Sequence, residues 1–403
     1  MALVALLSAR SMIEPGHGGA PGGAVTRRRG ELFFAGQSIV EYQARLAHAA
    51  GAGHALILVD DISPILTTTV DRLAADGIHA TLIRDMPALG RMIGGADQIL
   101  LIGDGNIVPA SHVELLAHND HASLLVVPSG PGTRAFERID ADQMWAGALI
   151  APAAMLLKIL DMLGDWDVPL TLVRQAVQEE SARTLCDMAD VFDGRITVAT
   201  DQAVADAATE ALARAIPRTS DAQGDIDDWP VGGPAAWIVP FAIRHGIAST
   251  MLRNVAIGTE LLGLVAILGG LVMLGCLLCF LGLVTDRVAA QLDRLLRLAM
   301  GTRPLDHAAG AIALLGLLGT GVVHGGGGTL GAAAAVLCVG LIALTPVIRR
   351  KGIGGDVPEV LKFAPGTALL LVAFGGLLDA TGTLFAICAL LAFASHANQL
   401  LRA

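Results

Sequence analysis

Charged and aromatic residues are both scarce in this sequence. Asp, Glu, Lys and Arg make up 16% of the 403 residues, aromatic residues make up 4%, and Tyr42 is the only tyrosine. Soluble domains carry about 25% charged residues, so this low charge and the 54% hydrophobic content exclude a disordered chain and argue against a wholly soluble one. No basic stripe is interleaved with aromatic residues, which excludes nucleic acid as a partner.

Cysteine is also rare. Four of the five cysteines lie in the most apolar stretches, which excludes a secreted disulfide framework and favours a reducing compartment. The apolar start, Met1–Ser8, has neither a basic flank nor a cleavage pattern. We therefore interpret it as a β-strand, Ala2–Ala9, and expect the N-terminal half to stay in the cytoplasm.

Charge divides the chain into two parts. Residues 1–230 contain 16 Lys/Arg and 30 Asp/Glu, a net charge of −14, whereas residues 231–403 contain 11 and 7, a net charge of +4. An acidic run, Asp225–Asp228, precedes the Gly/Pro segment Pro230–Pro234, a composition typical of a linker. We predict a soluble domain over residues 1–220, a linker over 221–240 and a membrane domain over 241–403.

The soluble part alternates short apolar runs with amphipathic stretches. Runs such as Leu56–Val59, Gln98–Ile102 and Ser123–Val127 end in Asp, Gly or Pro, as buried strands do. This order predicts a parallel or mixed α/β sheet, whose ligands lie beyond the carboxyl ends of the strands.

Two loops follow predicted strands and could bind a nucleotide. The first, 16–29, contains Gly22, Gly23, Thr26 and Arg27; glycines let backbone amides approach phosphate, and guanidinium groups donate to it. The second contains Asp104 between two glycines, where a carboxylate could hold Mg²⁺ on a nucleotide. A surface loop and a simple Asp-Gly turn are the respective alternatives.

This succession of a strand, a glycine-rich loop ending in Thr26-Arg27, a helix and then Asp104 resembles the nucleotidyltransferases of the sugar-nucleotide and cytidylyltransferase type. The resemblance extends over about 200 residues and implies a Rossmann-like (GT-A) fold. It also implies that the loop binds the triphosphate of CTP, while Asp104 and Asp201 hold Mg²⁺ or Mn²⁺. The lysine that follows the loop in this family is absent, and Arg28 or Arg29 would supply its charge.

Long apolar runs begin at residue 255. Val255–Thr285 is too long for one upright helix and has Gly269-Gly270 in its middle, so we predict a hairpin of two spans. Four more spans bring the total to six: His307–Val323, Leu330–Val347, Ala364–Leu378 and Thr383–Ala394. With six spans every Lys and Arg near a helix end falls on the cytoplasmic side. We therefore expect a multi-pass inner-membrane protein with a cytoplasmic N-terminal domain and an all-α six-helix bundle.

The region after the second span resembles the CDP-alcohol phosphotransferases, whose motif is D-x2-D-G-x2-A-R-x8-G-x3-D-x3-D. Asp286 matches its second aspartate and Asp306 its third, and the resemblance implies that both hold a divalent cation. Asp293 could contribute through a rearranged geometry. Four motif positions differ: Leu283 and Gly310 replace aspartates, Arg287 replaces glycine and Gln291 replaces arginine. A solvated amphipathic face is the alternative for this segment.

Together the two resemblances imply phospholipid head-group biosynthesis. The soluble domain would make a CDP-alcohol, and the membrane domain would transfer its phospho-alcohol to a lipid or alcohol acceptor. A nucleotide and a membrane lipid are the expected partners, and a homodimer is a further option. The missing motif residues leave a non-catalytic nucleotide-binding pseudoenzyme or scaffold as one alternative, and a membrane glycosyltransferase as another. A transporter would need charged residues in mid-membrane, and we expect Glu260, His324 and Asp379 to lie near span ends.

Overall fold

The computed structural model shows two compact units. The first is formed mainly by Met1–Ala215 and the second by most of the chain that follows. The structure describes these residues: 2–13, 27–119, 121–162, 167–215, 229–296, 308–324, 329–350, 363–378 and 380–401.

The first unit is built on a mixed β-sheet, as the strand pattern predicted. Its strand order is β11-β8-β10-β6-β1-β4-β5, with β9 paired to β10. Strand β1 lies parallel to both β4 and β6, whereas β10 runs antiparallel to β6 and β8. The strands are β1 Leu3–Ser8, β2 Phe33–Phe34, β3 Gln37–Ser38, β4 His54–Leu58, β5 Ala80–Ile83, β6 Gln98–Ile102, β7 Asn106–Ile107, β8 Ser123–Pro128, β9 Glu137–Arg138, β10 Gln143–Pro152, β11 Ala182–Leu185 and β12 Thr197–Val198.

Within the described residues, eight α-helices accompany this sheet. Many begin at a side chain that accepts a backbone N–H, such as Ser38, Ser63, Asp85 and Asp167, which is the preferred chemistry for a helix start. The central strands are buried: no residue of β6 is more than 8% exposed. The helices are α1 Ile39–Ala49, α2 Pro64–Ala75, α3 Met86–Met92, α4 Ala110–Ala117, α5 Ala153–Met162, α6 Val168–Gln178, α7 Met188–Phe192 and α8 Gln202–Ala215.

The regular secondary structure described in the second unit is entirely α-helical. Residues 229–240 of the predicted linker belong to a helix, while 221–228 lie outside the described residues. The proposed domain limits stay predictions. The helices are α9 Trp229–Arg244, α10 Ser249–Leu268, α11 Val272–Leu296, α12 Ala308–His324, α13 Thr329–Arg350, α14 Pro365–Leu377 and α15 Thr381–Leu401.

Two of these helices, α10 and α11, are long and apolar enough to cross a membrane, which by length and composition alone is weak evidence. Four shorter apolar helical stretches follow, within α12 to α15. They fall where the sequence predicted the third to sixth spans, and a six-span bundle stays a prediction.

The predicted hairpin break is confirmed. Helix α10 ends at Leu268, and Gly270 has a φ of +88° in the turn that follows, a conformation that favours glycine. The two helices then pack through glycines. A Cβ added to Gly263 would lie 2.7 Å from Cys279 Sγ, and one added to Gly275 would lie 2.5 Å from Ile267 Cγ1. Small residues of this kind let membrane helices approach closely.

The position of Glu260 was predicted wrongly. It is the twelfth of the twenty residues of α10, and its side chain is 0% exposed. The error arose because the apolar run begins at Val255, whereas the helix already begins at Ser249. From the sequence, Arg253 is expected to flank the first span on its cytoplasmic side, but in the structure it is a buried residue within the helix.

Candidate functional site

A cleft of about 390 Å³ opens in the first unit. It lies beyond the carboxyl ends of β1 and β6, since its lining includes Ser8 at the end of β1, Arg10 and Ser11 after it, and Asp104 after β6. Ligands of open α/β sheets bind at this edge of the sheet. The location agrees with the one expected from the sequence.

A tight turn holds Asp104 in this cleft. Asn106 N–H donates to the Gly103 carbonyl over 3.1 Å, and Gly105 adopts a φ of +70°. The fully buried Gln43 of α1 fixes the turn, because its Nε2 donates to the carbonyls of Gly103 and Asn106 over 2.9 and 2.7 Å. Strand β10 approaches so closely that a Cβ on Gly147 would lie 2.2 Å from Asn106 Oδ1.

The two oxygens of the Asp104 carboxylate differ. Oδ2 accepts the backbone N–H of Arg10 over 2.8 Å and that of Ser11 over 2.7 Å. Oδ1 is buried and accepts no hydrogen bond from any described residue. One oxygen therefore anchors the carboxylate to the chain after β1, and the other is available to a ligand.

Burial raises the pKa of Asp104 from 3.8 to about 6. Desolvation of the carboxylate is the largest cause, and hydrogen bonds from Ser11 and Arg10 and the positive charge of Arg29 oppose it. The carboxylate is mainly ionised at pH 7, but at a cost in desolvation that a bound cation would offset.

Two arginines line the cleft beside Asp104. The Nε of Arg29 is buried without a hydrogen-bond partner among the described residues, while its backbone N–H donates to Ser11 over 2.9 Å. Arg10 pairs with Asp60 over 2.6 Å. Guanidinium groups in such a cleft are suited to phosphate oxygens.

The run Arg27–Arg29 is divided between several environments. Arg27 is exposed and does not line the cleft in the described structure. Arg28 is buried and donates to the carbonyl of Asp61 over 2.7 Å, so it has a structural role. Of the two arginines considered as substitutes for the family's lysine, the structure places Arg29 in the cleft.

Of the other predicted site residues of this unit, the structure describes Asp201 but not the glycines or the threonine of the glycine-rich loop. Asp201 is exposed and its Oδ1 accepts the N–H of Val204 over 3.0 Å, near the start of α8. It is not among the residues that line the cleft, although Ala199, two residues earlier, donates to the Gly105 carbonyl over 2.8 Å. Gly22, Gly23 and Thr26 lie outside the described residues. Their roles stay predictions.

Sequence reasoning missed several residues of this cleft. Arg10 follows the end of β1 directly, so its position after a strand was a usable signal. Glu137 and Asp167 also line the cleft but come from segments far along the chain. No local pattern marks them, because only the tertiary fold brings them to the site.

A divalent cation fits this cleft as part of a complex with a nucleotide. Among the described residues, no group of three or more His, Cys, Asp and Glu side chains could hold a metal by itself. Mg²⁺, however, is usually bound by one or two carboxylates together with phosphate oxygens and water. The unpartnered Oδ1 of Asp104 is suited to be one such ligand.

Asp286 in the second unit lies beside an arginine. Arg253 Nε is 3.7 Å from Asp286 Oδ1, and Arg253 Nη2 is 2.9 Å from Asp293 Oδ2. Arg253 and Asp293 are both buried, so Asp293 is not simply part of a solvated face. Asp306 lies outside the described residues, and its predicted role beside Asp286 stays a prediction.

The first unit combines a mixed α/β sheet with a cleft at its strand ends, two arginines and a carboxylate of which one oxygen has no partner among the described residues. This combination is typical of proteins that bind phosphorylated ligands.

No protein-family model matches the chain, and no curated protein matches it. The predicted CDP-alcohol phosphotransferase character of the second half therefore stays a prediction.

Solved structures of nucleotidyl-transferring proteins are similar to part of the chain. An inositol-1-phosphate CTP transferase from T. maritima is 14% identical, covers 46% of this chain and 84% of its own, and has a TM-score of 0.33. A UDP-glucose pyrophosphorylase complexed with UDP-glucose is 11% identical, with coverages of 46% and 90% and a TM-score of 0.30. A nucleotidyl transferase from Methanothermobacter is 15% identical, with coverages of 50% and 94% and a TM-score of 0.34. Similarity of this size does not assign an activity.

Proposed function

We propose that the first unit binds a nucleoside triphosphate in the cleft beside Asp104 and transfers its nucleotidyl group to a phospho-alcohol. The observation that supports this proposal is that Asp104, with its unpartnered carboxylate oxygen, and Arg29 both line the cleft at one edge of the sheet. Arg29 and Arg10 bind phosphate oxygens, and Asp104, with Asp201 as a second candidate, holds Mg²⁺ or Mn²⁺. The resemblance to cytidylyltransferases favours CTP, with Gly22, Gly23, Thr26 and Arg27 around its triphosphate.

The chemistry of this step requires little from the protein beyond positioning and charge. A phosphate oxygen of the phospho-alcohol attacks the α-phosphorus of CTP, and pyrophosphate leaves with the electrons of the broken P–O bond. The Arg29 and Arg10 guanidinium groups stabilise the negative charge that is redistributed over the phosphate oxygens. A bound Mg²⁺ supplies further charge neutralisation. Gln43 keeps the Asp104 turn rigid, since it satisfies two of the turn's carbonyls.

We further propose that the helical unit is a membrane domain that takes the CDP-alcohol as substrate. A hydroxyl of a lipid or alcohol acceptor attacks the phosphorus next to the alcohol, and CMP leaves. Asp286 and Asp306 would hold the divalent cation at this second site. The whole chain would then be a multi-pass inner-membrane transferase of phospholipid head-group biosynthesis, with its first unit in the cytoplasm.

A non-catalytic nucleotide-binding protein is the second candidate. It is favoured by the exposed position of Asp201 at a helix start, outside the set of residues that line the cleft. Such a protein would bind CTP through the same cleft but release no pyrophosphate.

The test uses the full-length protein in detergent with CTP, Mg²⁺ and a panel of phospho-alcohols. We expect Arg29→Met to weaken CTP binding about 10-fold or more, because a hydrogen bond to a charged group contributes about 1.5–3 kcal/mol. Asp104→Asn should remove the Mg²⁺ dependence of binding. Calorimetry measures binding, and pyrophosphate release measures transfer.

Arg91→Met is the matched control, since Arg91 is exposed on α3 and does not line the cleft. Equal loss of binding in the Arg29 and Arg91 variants would contradict the proposed cleft. Binding without pyrophosphate release from any phospho-alcohol would favour the non-catalytic candidate. CMP release from CDP-alcohols, compared between the wild type and Asp286→Asn, tests the membrane step separately.

A further inference from the structure

Glu260 is the most unusual side chain of the helical unit. It is 0% exposed at the middle of α10, a helix long and apolar enough to cross a membrane. Both of its carboxylate oxygens are buried and have no hydrogen-bond partner among the described residues. Burying an ionisable side chain at such a position costs free energy, and residues of this kind are usually functional. The two oxygens are therefore candidates to bind a ligand.

The side chain of Glu260 crosses to the next helix. A Cβ added to Gly282 of α11 would lie 2.3 Å from Glu260 Cγ and 3.1 Å from its Cδ. Glycine at 282 is therefore what allows the carboxylate to reach α11. Asp286 follows four residues later on the same face of that helix, and its carboxylate is near enough for its charge to act on Glu260.

The point of contact coincides with a departure from the CDP-alcohol phosphotransferase motif. Gly282 precedes Leu283, the position at which the motif has its first aspartate. Glu260 thus brings a carboxyl group from α10 to this turn of α11. Arg253 contacts Asp286 and Asp293, whereas Glu260 has no ion pair among the described residues.

We propose that Glu260 and Asp286 together bind a divalent cation of the Mg²⁺ or Mn²⁺ class between α10 and α11, with Glu260 replacing the lost aspartate of position 283. Two carboxylates are sufficient, because Mg²⁺ completes its shell with water and phosphate oxygens. The inference rests on the proposed phospho-alcohol transfer in one respect: the phosphate oxygens of the substrate would complete the shell of the cation. Cation binding is measured without turnover, so the two proposals can fail independently.

The experiment measures Mn²⁺ binding to the full-length protein in detergent by electron paramagnetic resonance, with Mn²⁺ as the only added ligand. We expect Glu260→Gln to weaken this site 10-fold or more and to abolish the rise in unfolding temperature that Mn²⁺ causes. Glu210→Gln, at an exposed position of α8, is the matched control and should behave as wild type. Asp104→Asn identifies any Mn²⁺ bound in the other unit.

A rescue variant distinguishes a lost ligand from a lost fold. Glu260→Gln combined with Leu283→Asp returns a carboxylate to the same turn of α11, and we expect Mn²⁺ binding to return to within about 3-fold of wild type. Unchanged Mn²⁺ binding in Glu260→Gln would overturn the proposal, and so would failure of the rescue. Should Glu260→Gln not fold, Leu283→Asp alone must raise the Mn²⁺ affinity, and no rise would overturn it.

Discussion

At the scale of single residues, the role proposed for Asp104 as a cation ligand opposes the stability of the fold. Its Oδ2 is tied to the backbone of Arg10 and Ser11, but its Oδ1 has no partner among the described residues. A carboxylate held in this way is poorly solvated, and its pKa is raised because desolvation disfavours the ionised form. The residue that is best placed to bind a cation is therefore one that the fold would be more stable without.

This cost gives a pH dependence whose sign can be stated. The folded chain keeps the Asp104 proton up to a pH of about 6, whereas the unfolded chain loses it near 3.8. The Asp104 contribution to the free energy of unfolding therefore falls as pH rises between these values, by up to about 3 kcal/mol. Asp104→Asn should remove this dependence and raise the unfolding temperature at pH 7.5. Thermal unfolding of both proteins at pH 5 and pH 7.5, without nucleotide or metal, measures the difference. A lower unfolding temperature for the variant at pH 7.5 would contradict it.

Asp104 could be recognised from the sequence, but its neighbours only in part. A carboxylate between glycines after a buried strand marks a functional turn, and the structure places it in the cleft. Arg29 was one of three consecutive arginines, and the sequence does not say which of them faces the cleft. Glu137 and Asp167 carry no local signal, because their position depends on contacts between segments distant in sequence.

At the scale of elements, the hairpin of α10 and α11 follows from its glycines. Gly269-Gly270 predicted the break, and Gly270 provides it with a positive φ. The start of α10 could not be read from hydropathy, because Arg253 is charged and yet buried against Asp293 within the helical unit. The charge of Arg253 lowers the hydropathy near the start of α10, so a hydropathy pattern places the start of this helix too late.

Glycine packing in this hairpin gives the element-scale prediction. Gly263→Leu should destabilise the protein by about 1–3 kcal/mol, since overpacking forces the two helices apart; a Cβ there already meets Cys279 Sγ at 2.7 Å. Gly258→Leu is the control on the same helix, because nothing lies within 4 Å of its Cβ position. The unfolding temperatures of the purified variants in detergent measure the effect. Equal destabilisation by both substitutions would contradict the packing described.

At the scale of the whole molecule, composition predicts more than any single motif. The change from a net charge of −14 to +4 near residue 230 separated an α/β part from a helical part, and the structure contains both. The number of spans is a separate matter. Among the described residues, α10 and α11 meet the combined requirements of length and hydropathy for a candidate span, whereas the apolar stretches within α12 to α15 are shorter.

Membrane topology is the corresponding prediction. With six spans, Arg303 faces the cytoplasm and Gly326 the opposite side, because Lys and Arg gather on the cytoplasmic side. Single variants Arg303→Cys and Gly326→Cys in intact cells should differ towards a membrane-impermeant maleimide: only Gly326→Cys should be labelled before permeabilisation. The five native cysteines are buried, so we expect a low background in the unsubstituted protein. Labelling of Arg303→Cys from outside would contradict a cytoplasmic second site.

The contact between Gly282 and Glu260 also has a consequence for the descent of this protein. The two positions are 22 residues apart in the sequence, but a Cβ at 282 would overlap the side chain of Glu260. A lineage that retains the glutamate must therefore retain the glycine, whereas one that loses the glutamate keeps at 282 only the milder contact with the Ala256 carbonyl oxygen, 3.0 Å from a Cβ there. If related sequences keep glycine at 282 wherever they keep glutamate at 260, selection has acted to preserve the acid.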